Sequence, residues 1–165
     1  MNHDPASTTG ACRDDPAIGD GVLLWRLVSV VPDGPDGAAK PRPTSGSFRD
    51  RHGMLSVNRA KLSTVERTLW IQPDNQIAEF TAADVREFSY KIYADPVYVC
   101  LHCRRDIGAQ TAACPNCNHG GPFYHNLAHA VPRSAIAPHA KSSKNGQRLS
   151  PLVRKSANGH ELGVF

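Results

Sequence analysis

The sequence predicts an α+β fold: one small domain built on a mixed or antiparallel sheet, with one or two short helices and an inserted zinc-knuckle hairpin. Three observations support this prediction. The chain has 165 residues, which is enough for a single hydrophobic core. Segments with the short apolar or alternating pattern of strands outnumber those with helix signals. Four cysteines form two Cys-x-x-Cys pairs between residues 100 and 117.

The strand signals recur along the middle of the chain. Residues 22–31 are almost continuously apolar, which is typical of a strand buried on both faces, and Arg26 is the one charge among them. Further strands are predicted at 54–57, 77–80, 88–93 and 127–131. A loop rich in proline and glycine is predicted at 32–43.

Two short helices are predicted from their N-terminal caps. Ser63, followed three residues later by a glutamate, has the spacing of a capping box for a helix within residues 61–69. Thr81 has the same spacing to Asp84, and the helix that it begins is expected to end near Glu87.

Charge separates a central domain from two tails. Residues 1–20 carry a net charge of −3 and many small polar residues, which predicts a disordered acidic tail. Residues 133–165 carry a net charge of +5, and a basic, partly ordered tail is predicted at 136–165. The domain itself is predicted at 21–135, with a zinc-ribbon-like insert at 98–120. A basic tail can bind phosphate, RNA or DNA, although a solvated tail without a ligand is the simpler interpretation.

The cysteine pairs are predicted to bind one structural Zn²⁺. Cys100 and Cys103 form the first pair and Cys114 and Cys117 the second, and each pair can turn both sulfurs toward one ion. Four thiolates close the tetrahedral shell, which argues against a catalytic metal. Iron in the same four sulfurs, a disulfide and free thiols are the alternatives. Cys12 lies far from the pairs and is predicted to be a free thiol without a role.

A cytoplasmic location is expected from two features of the sequence. The N-terminus lacks the pattern of a secretory signal, and no apolar stretch reaches the length of a membrane span. In the cytoplasm, paired cysteines are more often metal ligands than disulfides.

The cysteine motif resembles zinc ribbons and rubredoxin-like knuckles, in which glycine often follows the second pair. Asn118 stands in that place here, and Arg104 follows the first pair. Asparagine tolerates left-handed backbone next best after glycine, so a regular second knuckle is expected, whereas arginine is less suited to the first. The resemblance implies a metal site and implies no particular function.

A second resemblance covers residues 22–135. The segments Leu-Trp-Arg ending at Arg26, Thr-Ser-Gly-Ser-Phe around Ser47, Met-Leu-Ser-Val beginning at Met54, and Asn-Leu-Ala-His-Ala around His129 are similar to a family of small, uncharacterised bacterial proteins. This resemblance implies that the cysteine unit is an addition to a host domain. It also implies that Arg26, Ser47 and His129 are recurrent polar positions of that host, and it implies no activity.

Two functions are compatible with these features. The first is a non-enzymatic interaction module that binds a partner protein or, through the basic C-terminal tail, Arg104 and Arg105, a nucleic acid. An aromatic content of 7% places protein ahead of nucleic acid as the expected partner. The second is a nucleotide- or NAD-handling enzyme similar to ADP-ribosyltransferases. In it Arg26 would bind an anion, Ser47 would hydrogen-bond or attack, and His129 would move a proton.

Overall fold

The computed structural model describes residues 13–31, 42–43 and 54–134. Its strands are β1 (Leu23–Val28), β2 (Val30–Val31), β3 (Arg42–Pro43), β4 (Val57–Arg59), β5 (Gln76–Thr81), β6 (Tyr90–Ala94), β7 (Val97–Cys100), β8 (Asp106–Gly108), β9 (Phe123–Asn126) and β10 (His129–Ser134). The helices are α1 (Val65–Trp70) and α2 (Ala82–Glu87), and a 3₁₀ turn covers Ala60–Leu62. The predicted α+β class with short helices is confirmed.

Two antiparallel sheets organise the described residues. The larger sheet has five strands in the order β5-β1-β4-β10-β6, and the smaller has three in the order β8-β7-β9. Strands β2 and β3 form a separate antiparallel pair. All these pairings are antiparallel, so of the two predicted kinds of sheet the antiparallel one is formed.

The main hydrophobic core is built on the five-stranded sheet. Leu24 of β1 lies opposite Phe80 of β5, and Val57 of β4 lies opposite Ala130 of β10, so each pair shares a face of the sheet. All four are buried in one cluster with Val85 of α2. Among the described residues this cluster takes no member from the segment between β7 and β9.

The segment 13–20, which the sequence placed in a disordered tail, packs against the domain. Ile18 is only 1% exposed and belongs to the core cluster. Arg86 of α2 donates to the carboxylates of Asp14 and Asp20, at 2.7 Å each. An apolar anchor, two ion pairs and backbone hydrogen bonds such as Asp15 N to Ile92 O at 2.8 Å therefore hold a segment of polar composition against the domain. Residues 1–12 and 136–165 lie outside the described residues, and the division into domain and tails stays a prediction.

The helices begin at side-chain caps. The predicted capping box of α2 is formed, because Thr81 Oγ1 accepts from the N–H of Asp84 at 3.2 Å while Asp84 Oδ2 accepts from the N–H of Thr81 at 2.8 Å. The predicted cap of α1 is wrong by one residue: Thr64, not Ser63, accepts from the N–H of Arg67. Both helices have six residues, and within the described part of the chain no helix is long and apolar enough to cross a membrane.

One long, bent antiparallel ribbon runs through both sheets. One side of it consists of β6 and β7, and the other side consists of β9 and β10. Ala94 pairs with Ala130 below the bend, and Val97 pairs with Asn126 above it. Between these two pairs, residues 95–96 on one side lie opposite residues 127–129 on the other. One strand thus has one extra residue, as in a β-bulge, and this bends the ribbon. The bend carries Asp95 and His129 and separates the two sheets, while the cysteines lie toward the far end.

Candidate metal centre and adjoining polar pocket

The four cysteine sulfurs of the two pairs lie within 4.8 Å of one another. Cys100 Sγ is 3.7 Å from Cys117 Sγ, and Cys103 Sγ is 3.6 Å from Cys114 Sγ. Zinc–sulfur bonds of about 2.3 Å in a tetrahedron imply about 3.8 Å between sulfurs, whereas a disulfide bond is about 2.05 Å. All four cysteines are free thiols. Their spacing therefore fits a tetrathiolate site that could hold one metal ion.

The two Cys-x-x-Cys segments adopt the same backbone turn. In each, the N–H of the first cysteine donates to the carbonyl five residues later, and its own carbonyl accepts from the N–H four residues later. These bonds are Cys100 N to Arg105 O at 3.0 Å, Cys114 N to His119 O at 2.8 Å, Arg104 N to Cys100 O at 2.8 Å, and Asn118 N to Cys114 O at 2.7 Å. Arg104 and Asn118 both have φ of 57°. Arginine thus occupies the left-handed position of a regular first knuckle.

The thiols affect one another's protonation. Burial would raise the pKa of Cys114, but the N–H groups of Asn116 and Cys117 and the neighbouring thiols outweigh it and lower that pKa to about 6. The N–H of His119 would lower the pKa of Cys117, yet burial and the other three thiols raise it to about 12. Adjacent sulfurs resist ionising together, and a divalent cation replaces their protons when it binds.

Two arginines fasten the cysteine unit to helix α1. The Arg104 guanidinium lies 5.0 Å from the centre of the Trp70 ring, and its Nη1 donates to the Trp70 carbonyl at 3.2 Å. From the other side, the Arg67 guanidinium of α1 lies 4.8 Å from the centre of the Tyr124 ring on β9. Each contact is a cation–π interaction, so α1 and the cysteine unit hold each other in place.

The histidines near the metal centre are not part of the sulfur cluster. The rings of His102 and His119 stack with centroids 4.5 Å apart. His119 Nδ1 lies 2.9 Å from the Gly121 carbonyl oxygen, which can only accept, so Nδ1 donates. Both rings therefore pack against each other on the surface of the unit, one beside each knuckle.

A polar cavity of about 240 Å³ opens beside the cysteine unit. Its walls come from the five-stranded sheet, from α1 and from β8. The hydrogen-bonding and charged side chains in these walls are those of Trp25, Arg26, Ser56, Asn58, Thr68, Gln72, Asp106, Asn126 and His129. The predicted site residues Arg26 and His129 thus line the same cavity, while Ser47 lies outside the described residues. Asp106 comes from the cysteine unit, so the metal centre and the cavity share a wall.

A row of polar side chains crosses the sheet at this cavity. His129 on β10 lies opposite Asn58 on β4, Asn58 lies opposite Trp25 on β1, and Trp25 lies opposite Glu79 on β5. Residues opposite each other project from the same face, and Trp25 Nε1 donates to Glu79 at 2.7 Å. Asn126 Nδ2 donates to Asn58 Oδ1 at 3.0 Å. The side chains of this row are therefore held in place by hydrogen bonds on one face of the sheet.

Ser56, which the sequence interpretation did not select, meets His129 in the cavity wall. Ser56 Oγ lies 2.8 Å from His129 Nε2, and His129 Nδ1 lies 2.6 Å from the backbone oxygen of Asp95 and 3.5 Å from its carboxylate. The serine and histidine are 73 residues apart. The one sequence signal was that Ser56 is a polar residue within the predicted strand 54–57, Met-Leu-Ser-Val.

Two charged groups flank this serine and histidine. Arg26 Nη1 donates to the carbonyl oxygen of Ser56 at 2.8 Å. Burial lowers the pKa of Arg26 to about 10, which still leaves the guanidinium charged at pH 7. Burial raises the pKa of Asp106, helped by the charge of Asp95 and opposed by His129. The cavity therefore offers a cation, a hydroxyl bound to an imidazole, and a carboxyl group.

Comparisons of the chain with protein-family models, with curated proteins and with solved structures found no match. The resemblance to a bacterial family, and the roles it implies for Arg26, Ser47 and His129, therefore stay predictions.

Proposed function

We propose that the protein binds one structural Zn²⁺ through Cys100, Cys103, Cys114 and Cys117, and that the resulting unit binds a partner protein in the cytoplasm. The observation that carries the metal assignment is the approach of four sulfurs to within 4.8 Å in two equivalent turns. A reducing compartment fits thiolate ligands, which oxidation would remove.

A structural role for the metal is supported by what surrounds it. Four sulfurs satisfy tetrahedral zinc, so no position remains for a substrate or water. The buried hydrophobic side chains between β7 and β9 are Val97, Val99 and two of the cysteines themselves. A unit with so small a core relies on its metal for folding.

The proposed partner surface is the knuckle tip, which we define as Leu101, His102 and His119. Leu101 is 38% exposed, and the stacked imidazoles beside it present a flat, rigid face. Exposed apolar and aromatic groups of this kind favour a protein partner. Nucleic acid needs several cations along one face, and Arg104 is engaged with Trp70.

Elemental analysis of the purified protein tests the metal assignment. One zinc per chain is expected in the wild type and in Cys12→Ser, which serves as the matched cysteine control. Cys114→Ser is expected to lose the metal, because three thiolates no longer close the shell. Iron in place of zinc would correct the identity of the ion, and no metal in any variant would refute the proposal.

Photo-crosslinking in cells tests the partner surface. A photoreactive phenylalanine analogue at position 101 is expected to give protein adducts that disappear in the Cys114→Ser background. The same analogue at Leu127, which is 54% exposed but lies at the bend of the ribbon, is the control and should give none. Adducts at 101 that nuclease removes would show a nucleic-acid partner instead. Equal adducts at both positions would contradict a specific surface.

A further inference from the structure

The cavity beside the metal unit has the parts of a second site, which goes beyond the proposed role of the zinc unit. The residues that form its hydrogen bonds do not include any predicted metal ligand. In its central pair, Ser56 immediately precedes β4, and His129 is the first residue of β10, at the bend of the ribbon. What this pair can do depends on where its protons lie.

The hydrogen bonds assign the tautomer of His129. A backbone carbonyl oxygen can only accept, so the 2.6 Å contact with the Asp95 oxygen requires a proton on Nδ1. In the neutral ring Nε2 then carries the lone pair, and the Ser56 hydroxyl must donate to it. The ring is 7% exposed, so its orientation is fixed by packing. This is the arrangement in which a histidine can take a serine's proton.

The other requirements of a nucleophilic serine are also present. Ser56 is exposed and lines the cavity, so an incoming molecule can reach its Oγ. The Asp95 carboxylate lies 3.5 Å from His129 Nδ1, where a negative charge stabilises an imidazolium. The Arg26 guanidinium lies beside the same serine, since it donates to the Ser56 carbonyl. A fixed positive charge that lines the same cavity can stabilise an oxyanion that develops there.

We propose that this cavity is a hydrolytic site for short-chain carboxylic esters, with Ser56 as nucleophile, His129 as general base, Arg26 as oxyanion stabiliser and Asp95 as positioning residue. The cavity volume of about 240 Å³ is enough for a small acyl group. Trp25 and Ile71 supply apolar wall for that group.

The reaction follows from the proton positions. Ser56 Oγ attacks the ester carbonyl carbon while its proton moves to His129 Nε2. The bond from that carbon to the alcohol oxygen then breaks, and the leaving oxygen takes the proton from His129. Water next attacks the acyl carbon, gives a proton to His129, and the bond from the acyl carbon to Oγ breaks. His129 returns the proton to Ser56, and the acid is released.

Covalent labelling with a small alkyl fluorophosphonate tests the proposal directly. Oγ displaces fluoride from phosphorus, and the site of modification is read by tandem mass spectrometry of the full chain. Modification at Ser56 is expected, and Ser56→Ala should remove it. His129→Gln should slow labelling about 100-fold or more, because the general base is gone. Arg26→Gln should slow it about 100-fold, because one oxyanion stabiliser is gone.

Ser89 provides the matched control. It is exposed in the turn between α2 and β6, beyond the opposite end of β6 from the bend, and its φ of 62° suits asparagine as a replacement. Ser89→Asn should label at the wild-type rate, and it should hydrolyse p-nitrophenyl acetate at the wild-type rate. Ser56→Ala should lose this hydrolysis.

Three outcomes would overturn the proposal. These are wild-type protein that remains unlabelled at Ser56, labelling of Ser89 as fast as that of Ser56, and labelling of His129→Gln as fast as that of the wild type. In each case the contact between Ser56 and His129 is a purely structural hydrogen bond. Zinc content is measured on the same samples, so a failure here leaves the metal assignment standing on its own test.

Discussion

Removal of the metal is expected to unfold the cysteine unit and leave the five-stranded sheet intact. Inside the unit, Val97 and Val99 are the buried aliphatic side chains, with exposed fractions of 8% and 0%. Burial of each contributes about 1.5–3 kcal/mol. A structural zinc site contributes about 10–16 kcal/mol in small zinc-finger peptides, so the metal outweighs the unit's own apolar burial. The main core contains no residue of the unit, within the described part of the chain.

Amide hydrogen exchange, read by mass spectrometry before and after chelation, measures this difference. Amides of β7 and β9 should lose protection, by about seven orders of magnitude for a loss of about 10 kcal/mol, the lower end of that range. Amides of β1 and β5 should keep theirs. Cys12→Ser should respond to chelation as the wild type does, while Cys114→Ser should show the exchange pattern of the chelated protein without a chelator.

Two results would refute this reasoning. If β1 and β5 lost protection together with β7, the two sheets would unfold as one cooperative unit. The main core would then not be stable without the cysteine unit. If β7 and β9 kept their protection after the metal was gone, packing against α1 would hold the unit and the metal would be dispensable for folding.

Three smaller effects can be measured by thermal unfolding and metal titration. Thr81→Ala removes the capping box of α2 and should destabilise the protein by about 1 kcal/mol, so an unchanged Tm would contradict the role of the cap. Arg86→Met breaks two partly exposed ion pairs and should reduce stability by about 0.5–1.5 kcal/mol. Burial would raise the pKa of Asp14, but its bonds to Arg86 and a backbone N–H outweigh this and hold that pKa below 3.8. The contribution of Asp14 is therefore present above about pH 4 and disappears as pH falls through the lowered pKa, and in Arg86→Met this acid-dependent loss should be smaller. Trp70→Leu removes the ring under Arg104 and should weaken metal binding about two- to fivefold, whereas unchanged affinity would show that α1 does not support the first knuckle.

Features set by neighbouring residues could be predicted from the sequence. Each Cys-x-x-Cys turn involves six consecutive residues, and the capping box of α2 involves four, so their residue types alone indicate the geometry. Apolar runs and alternating patterns likewise predicted segments that overlap the five strands of the larger sheet, but they did not predict β7, β8 or β9 of the smaller sheet. The cap of α1 was misplaced because Ser63, unlike Thr64, has a glutamate three residues later. In the structure Ser63 instead ends the preceding 3₁₀ turn.

The polar cavity could not be predicted, because it depends on how distant strands align. Ser56 and His129 meet only when β4 and β10 are paired with Asn58 opposite His129, and when the bulge turns His129 toward the cavity wall. Ser47 and Ser56 are both followed by a hydrophobic residue, and composition does not distinguish them. Asp106 reaches the same wall only because the cysteine unit folds back beside α1.

The bent ribbon makes the connection between two paired strands of the larger sheet unusually long. Strands β6 and β10 are hydrogen-bonded neighbours, yet residues 95–128 connect them where a hairpin would use two to five residues. To the five-stranded sheet the whole cysteine unit is one long loop. Replacing it with a four-residue turn shortens the connection by about three doublings, which lowers the entropy penalty of closing it by about 2 kcal/mol. A chain trimmed in this way should still form the larger sheet. Metal binding is expected to offset this entropy penalty, and the five-stranded sheet is expected to fold without the cysteine unit.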